Sequence, residues 1–182
     1  MNKLVILDRD GVVNFDSDDY VKSVDEWLPI PGSIEAIARL SQAGFLVAIA
    51  TNQSGVGRGY YDEATLQAMN QKMLDLVTAA GGSIHAIAYC PHLPDAGCDC
   101  RKPAPGMIYQ IEKMLDHPVQ SAYFVGDSLR DLEAAQTAKC IPVLVMTGKG
   151  GRTLKKLAET AYADTPVFTN LAAFVDNLLE TT

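Results

Sequence analysis

An apolar run, Leu4-Val5-Ile6-Leu7, stops abruptly at Asp8-Arg9-Asp10-Gly11. Consecutive apolar residues without alternation are the pattern of a strand buried on both faces, as in a parallel sheet. Such a sheet needs helices on its faces, so this one stretch already asks for an α/β fold. In an open α/β sheet, ligands bind outside the carboxyl ends of the strands. Asp8 and Asp10 therefore stand at the mouth of a candidate site, and on an extended backbone their side chains share a face. Two carboxylates that close repel unless a cation, a shared proton or a hydrogen-bond network intervenes. Magnesium, which prefers oxygen ligands, is the simplest remedy. Asp-Gly is also a common turn signal, and on this segment alone a plain polar turn fits equally well.

The same logic recurs along the chain. A polar segment, 14–25, reads as a surface loop bordering the first site and carries Asp16, Asp18, Asp19 and Tyr20. Ser33 is placed to N-cap a helix with Ile34, Ile37, Ala38 and Leu40 on its inner face, and Gly44 can end it. A second buried strand, 45–50, runs into Thr51-Asn52-Gln53-Ser54-Gly55-Val56-Gly57-Arg58-Gly59. The hydroxyl, amides, backbone N–H groups and arginine of that loop can donate to phosphate oxygens. It is not a Walker loop, and a glycine-rich stretch in isolation is equally a flexible connection. Asp62 caps a long helix, and a third strand spans 84–89. A fourth strand, 121–125, ends in Gly126-Asp127, which delivers a third carboxylate and a natural metal ligand. Asp131 lies one helical turn further on. It could ligate, hold a lysine or a metal-bound water, or be only a first-turn acid favoured by the helix dipole. A fifth strand, 142–146, leads to a flexible loop, 147–151, whose Lys149 is given a minor role. Val167-Phe168 adds an edge strand before a last amphipathic helix.

Between the third strand and the next helix, 106–116, lie Cys90-x-His92 and, five residues later, Cys98-x-Cys100. Three cysteines and a histidine make a recognised structural zinc set. All four positions are protein ligands, so no open position remains for catalysis. Free thiols or a redox pair compete with this reading, but Cys-x-Cys lacks the thioredoxin spacing and leaves His92 without a purpose. Arg101 and Lys102 follow at once. Adjacent cations braced by a zinc loop suit a phosphate, with lysine as a point charge and arginine able to grip bidentately.

A net charge of −7 argues against nucleic acid or an anionic membrane as partner. No apolar run is long enough to span a bilayer, and the N-terminus lacks a signal-peptide pattern. We therefore expect a cytoplasmic protein with reduced cysteines. The 182 residues suit a single domain, 1–182.

Taken together, Asp8 and Asp10, Thr51 and Asn52, Lys102 and Asp127 form an ordered set that resembles the haloacid dehalogenase-like (HAD) superfamily of phosphotransferases over nearly the whole chain. Within it, Leu7-Asp8-Arg9-Asp10-Gly11, Thr51-Asn52-Gln53-Ser54-Gly55 and the Cys-Pro-His…Cys-x-Cys-Arg-Lys-Pro segment look like the heptose-1,7-bisphosphate 7-phosphatases. The zinc-containing histidinol-phosphate phosphatases share these motifs and are the alternative. The resemblance implies a mostly parallel, Rossmann-like HAD sheet flanked by helices, with no separate cap domain and a structural zinc loop. It implies Asp8 as the nucleophile that forms an aspartyl-phosphate and Asp10 as general acid and base. It also implies Mg²⁺ on the Asp8 carboxylate, the Asp10 backbone carbonyl and Asp127, and Zn²⁺ on Cys90, His92, Cys98 and Cys100. Thr51 and Lys102 would bind the transferring phosphoryl group. Asp16, Asp19, Tyr20, Asn52, Gln53, Ser54, Arg58 and Arg101 are candidates for the rest of a small sugar bisphosphate. The resemblance further implies a place in ADP-heptose and lipopolysaccharide core precursor synthesis; we expect the chain to act as a monomer. Ser128 stands where relatives often carry lysine. A non-catalytic, zinc-stabilised interaction module is the competing class; the complete Asp8, Asp10, Lys102 and Asp127 set argues against it.

Overall fold

The computed structural model describes residues 1–182. In chain order the elements are β1 (Leu4–Leu7), α1 (Ser33–Gln42), β2 (Leu46–Asn52), α2 (Ser54–Gly57), α3 (Glu63–Ala79), β3 (Ala86–Cys90), α4 (Gly106–Leu115), β4 (Tyr123–Gly126), α5 (Leu129–Thr137), β5 (Ile141–Val145), α6 (Gly150–Leu157), β6 (Val167–Phe168) and α7 (Leu171–Glu180). The six strands form one sheet in the order β3-β2-β1-β4-β5-β6, and every pairing is parallel. The apolar run of β1 therefore lies at the middle of the sheet, and all four of its residues are completely buried. The chain leaves β1 toward β2 on one side and returns to β4 on the other. That reversal of strand order opens a crevice at the carboxyl end of β1.

Two apolar layers cover the sheet. One joins Val5, Leu7, Val47 and Ile49 to the inner faces of α1, α3 and α7, with Trp27 wholly buried among them. The other joins Leu4, Ile6, Ala48 and Phe124 to α4 and α5. Alternate residues of β1 thus feed opposite layers, as the period-2 geometry of a strand requires. No domain is inserted between β2 and Lys102, and no helix is long and apolar enough to cross a membrane.

Several local expectations change. Ser33 is not the cap of α1: Gly32 holds that position at φ 86°, and the Ser33 hydroxyl instead donates to Val12 O at 2.8 Å. Asp62 does cap α3, accepting from Thr65 N. β2 continues through Thr51 and Asn52, which places both residues in the sheet rather than in a loop. The glycine-rich stretch after it folds into the single turn of α2. Several of its backbone N–H groups are already used: Gln53 N donates to Cys90 O, Gly57 N to Pro91 O and Arg58 N to Ser54 O. Gly55 serves packing, since a Cβ there would sit 2.3 Å from the Tyr61 ring. Finally, the flexible loop expected at 147–151 leads directly into α6, whose two leading glycines and short apolar face hid it from periodicity.

Candidate active site

The ends of β1, β2 and β4, with the turn before α4, line a cavity of about 330 Å³. Asp8 and Asp10 both reach it, though not by lying on one extended strand. β1 stops at Leu7. The chain then folds back, with the N–H groups of Val12, Val13 and Asn14 all directed at Arg9 O. Gly11, at φ 91°, makes that turn possible.

Asp8 is anchored through one oxygen. Its Oδ1 accepts from Arg9 N at 2.8 Å and faces Lys102 Nζ at 3.0 Å. Lys102 is 3% exposed, although a lysine is costly to bury. It is held by Asp131 Oδ1 at 2.6 Å and by Ala50 O at 2.8 Å. Burial alone would push the ammonium down, but Asp131 and Asp8 outweigh it and hold Lys102 above its usual range. Asn52 clamps the same residue by its backbone, accepting from Lys102 N and donating to Lys102 O. Asn52 therefore faces the cavity with both ends of its amide engaged.

Asp131 combines two of the roles open to it, holding the lysine and capping the first turn of α5. Oδ1 holds Lys102, and Oδ2 accepts from Asp127 N, Ser128 N and the Ser128 hydroxyl. It fixes the start of α5 and the lysine together. Asp127 is 3% exposed. Its Oδ2 accepts from Lys149 N at 2.8 Å, and Thr153 Oγ1 donates to its backbone carbonyl. So the loop given a minor role positions a principal carboxylate. A Cβ on Gly11 or Gly148 would lie 2.1 or 2.3 Å from Asp127 Oδ2, so both glycines leave room for that carboxylate.

One carboxylate oxygen each from Asp8, Asp127 and Asp131 falls within a 4.8 Å cluster. Burial, with Asp131 adding to it, pushes Asp8 well above the ordinary carboxylate range and Asp127 up to about 7. One lysine does not neutralise three buried acids. An all-oxygen donor set with excess negative charge fits a hard divalent cation of the magnesium type. Asp10 differs. Burial would raise it, yet Arg9 beside it, with Asn14 and Gln53 as further donors, keeps it below the usual value.

The remaining expected residues sort by distance from this centre. Thr51, Gln53, Ser54, Asp16, Tyr20, Arg58 and Arg101 all line the cavity. Gln53, however, donates to Thr51 Oγ1 and Asp10 Oδ2 and accepts from Tyr61, so its amide braces the site rather than remaining free for a ligand. Asp19 lies outside the lining; it is exposed, and its carbonyl accepts from Lys22 Nζ. Asp18 stands at the rim instead, paired with Arg152. Arg130 and Lys149 line the cavity too; no strand-end pattern marks them, because each reaches it only through the folding of α5 and α6.

Cys90, His92, Cys98 and Cys100 converge beside this cavity. Cys90 Sγ lies 3.3 Å from His92 Nδ1, 3.1 Å from Cys100 Sγ and 3.7 Å from Cys98 Sγ. His92 Nδ1 is 3.2 Å from Cys100 Sγ. No disulfide forms among them. Bonds of about 2.0–2.3 Å to a central ion imply ligand separations of about 3.5 Å, so the four atoms suit a tetrahedral zinc.

The HAD-hydrolase-like family model matches residues 99–174. The chain is 59% identical over 178 residues to a D-glycero-beta-D-manno-heptose-1,7-bisphosphate 7-phosphatase of Pseudomonas aeruginosa, covering 97% of this chain and 98% of the relative. It is 53% identical over 180 residues to that of Bordetella bronchiseptica, covering 98% of each. Among solved structures, the D,D-heptose 1,7-bisphosphate phosphatase of B. bronchiseptica, complexed with magnesium and phosphate, superposes with a TM-score of 0.93 at 52% identity over 99% of both chains. The corresponding Burkholderia thailandensis enzyme gives a TM-score of 0.74 at 41% identity, covering 98% of this chain and 99% of that one. The chain belongs to the D-glycero-beta-D-manno-heptose-1,7-bisphosphate 7-phosphatase family of HAD-like phosphatases.

Proposed function

We propose that this chain removes the 7-phosphate of D-glycero-D-manno-heptose 1,7-bisphosphate, with Asp8 as nucleophile. The observation that carries this reading is the layout of charge in one cavity. The reacting acids and Lys102 lie at its base, while Arg58, Arg101 and Arg130 also line it. A ligand with a phosphate at each end matches both. Arg101 Nη1 is buried without a partner, which suits an incoming anion.

Asp8 is pinned through Oδ1, which leaves Oδ2 to attack phosphorus in line and form an aspartyl-phosphate. Lys102, the Thr51 hydroxyl and nearby backbone donors stabilise the transferring oxygens. Asp10 gives a proton to the departing sugar oxygen and later takes one from the water that frees Asp8. Its carboxylate is held ionised in the resting site; a phosphate dianion beside it raises its proton affinity and prepares the first of these steps. Asp8, Asp127 and the Asp10 backbone carbonyl would hold Mg²⁺, which supplies charge neutralisation between carboxylates and phosphate. The zinc set braces the loop that carries Arg101 and Lys102. A role in ADP-heptose and lipopolysaccharide core precursor synthesis, in the reducing cytoplasm, follows from that substrate and from the unpaired cysteines.

Steady-state kinetics on heptose 1,7-bisphosphate and on histidinol phosphate test the substrate. The expected kcat/KM ratio is about 10²-fold in favour of the bisphosphate, since the distal arginines gain a partner only there. Enzyme freed of Mg²⁺ by gel filtration, with its zinc content unchanged, should not turn over, and added Mg²⁺ should restore activity. Equal or greater efficiency on histidinol phosphate would transfer the chain to the other substrate, and undiminished turnover without Mg²⁺ would remove that metal from the account.

A further inference from the structure

Arg9, the residue between the two aspartates, is 0% exposed and does not line the cavity. Its Nε donates to Asp10 Oδ1 at 2.8 Å, and its Nη1 donates to Asn70 Oδ1 at 3.1 Å. Asn70 is itself buried on the face of α3 that carries Leu66, Met69 and Met73 into the core. A guanidinium and an amide in that place cost desolvation, and the protein does not fully repay it: Arg9 Nη2 and Asn70 Nδ2 have no partner. Apolar side chains at both positions would pack α3 against the sheet without this cost.

What the pair achieves is orientation. A planar guanidinium tied to a helix at one end and to Asp10 at the other has little freedom to turn. Asn14 donates to the same Asp10 oxygen at 2.9 Å. Gln53 donates to the other at 3.3 Å and is itself braced by Tyr61. Asp10 is thus held on both oxygens, and its link to the rigid core runs through Arg9 and Asn70.

We propose that Arg9 and Asn70 are positioning residues that hold the Asp10 carboxyl in the orientation required for proton transfer to the leaving group. The inference rests on the reading of Asp10 as general acid. In that step Asp8 Oδ2 bonds to phosphorus as the P–O bond to the sugar breaks, the Asp10 O–H proton passes to the departing oxygen, and Asp10 remains as a carboxylate. Orientation is critical here, because small misplacements of a reacting group are expensive in rate.

The test compares kcat/KM on the heptose bisphosphate and on p-nitrophenyl phosphate, whose leaving group departs as a stable anion without a proton. Because kcat/KM ends at the first irreversible step, later hydrolysis of the acyl phosphate does not enter. Asn70→Ala is expected to lose about 10- to 100-fold on the sugar phosphate and less than about threefold on p-nitrophenyl phosphate. Arg9→Lys, which keeps the charge but cannot bridge Asp10 and Asn70, should show the same split and carries the test if Asn70→Ala does not fold. A merely structural role lowers both substrates together, and that result, or no loss on either, overturns the proposal. Asp10→Asn is the control. If it shows the split while neither variant does, only this inference fails; if Asp10→Asn shows no split, the general-acid reading fails first.

Discussion

Asp8→Asn lowers turnover of the heptose bisphosphate by about 10⁴-fold or more, while the fold and the zinc content match the parent enzyme. The substitution exchanges one oxygen for an amide nitrogen of nearly the same size. Its remaining oxygen can still accept from Arg9 N and face Lys102, the two contacts that anchor the native side chain. What disappears is the free anionic oxygen, and an amide nitrogen does not attack phosphorus. Stability is not the cause of the loss. Asp8 is a buried acid raised by burial and by Asp131, Asp127 and Asp10, so a neutral amide relieves repulsion. Steady-state assays at saturating substrate, with circular dichroism and elemental analysis on the same samples, measure both halves. Turnover within tenfold of the parent would remove Asp8 from the nucleophile's role.

Cys98→Ser has the largest expected effect on structure. Three ligands hold zinc poorly, and structural zinc contributes folding free energy directly, on the order of 10 kcal/mol in small zinc modules. The zinc loop also supports its neighbours. Cys90 O accepts from Gln53 N, Pro91 O from Gly57 N, and Asp99 O from Gly106 N at the head of α4. Loss of the ion therefore loosens the turn that carries Arg101 and Lys102, together with α2 beside the cavity. The expected result is substoichiometric zinc, rapid amide exchange across residues 90–101 and at least a tenfold fall in kcat/KM. Stoichiometric zinc in this variant would show that the four-ligand assignment is wrong.

The two variants divide the molecule as its sequence does. Uninterrupted apolar runs announce buried parallel strands, and the residue that ends each run is read directly as a site residue. That is why Asp8, Thr51, Asn52 and Asp127 were legible, and why Cys90, His92, Cys98 and Cys100 were legible from spacing alone. Residues that act on other residues leave no such mark. Arg9 looks like a loop cation but is completely buried. Asn70 is a polar position on a helix, and Tyr61 an aromatic beside a cap, yet both brace the Asp10 network across the fold. Lys149 contributes to Asp127 by its backbone N–H, which no side-chain pattern encodes. Asn52 and Gln53 both line the cavity, but the sequence does not show what their amides bond to. In the fold the Asn52 amide meets the Lys102 backbone and the Gln53 amide meets Asp10, Thr51 and Tyr61, since buried polar groups must be satisfied wherever they stand.

Phosphopeptide mapping after rapid acid quench tests the central claim most directly. Parent enzyme, mixed with heptose bisphosphate labelled at its 7-phosphate and quenched within a turnover, should carry label on the peptide containing Asp8. The label should be released by hydroxylamine, as an acyl phosphate requires, and should be absent from Asp8→Asn. Label on any other residue would contradict the assignment of Asp8 as the nucleophile.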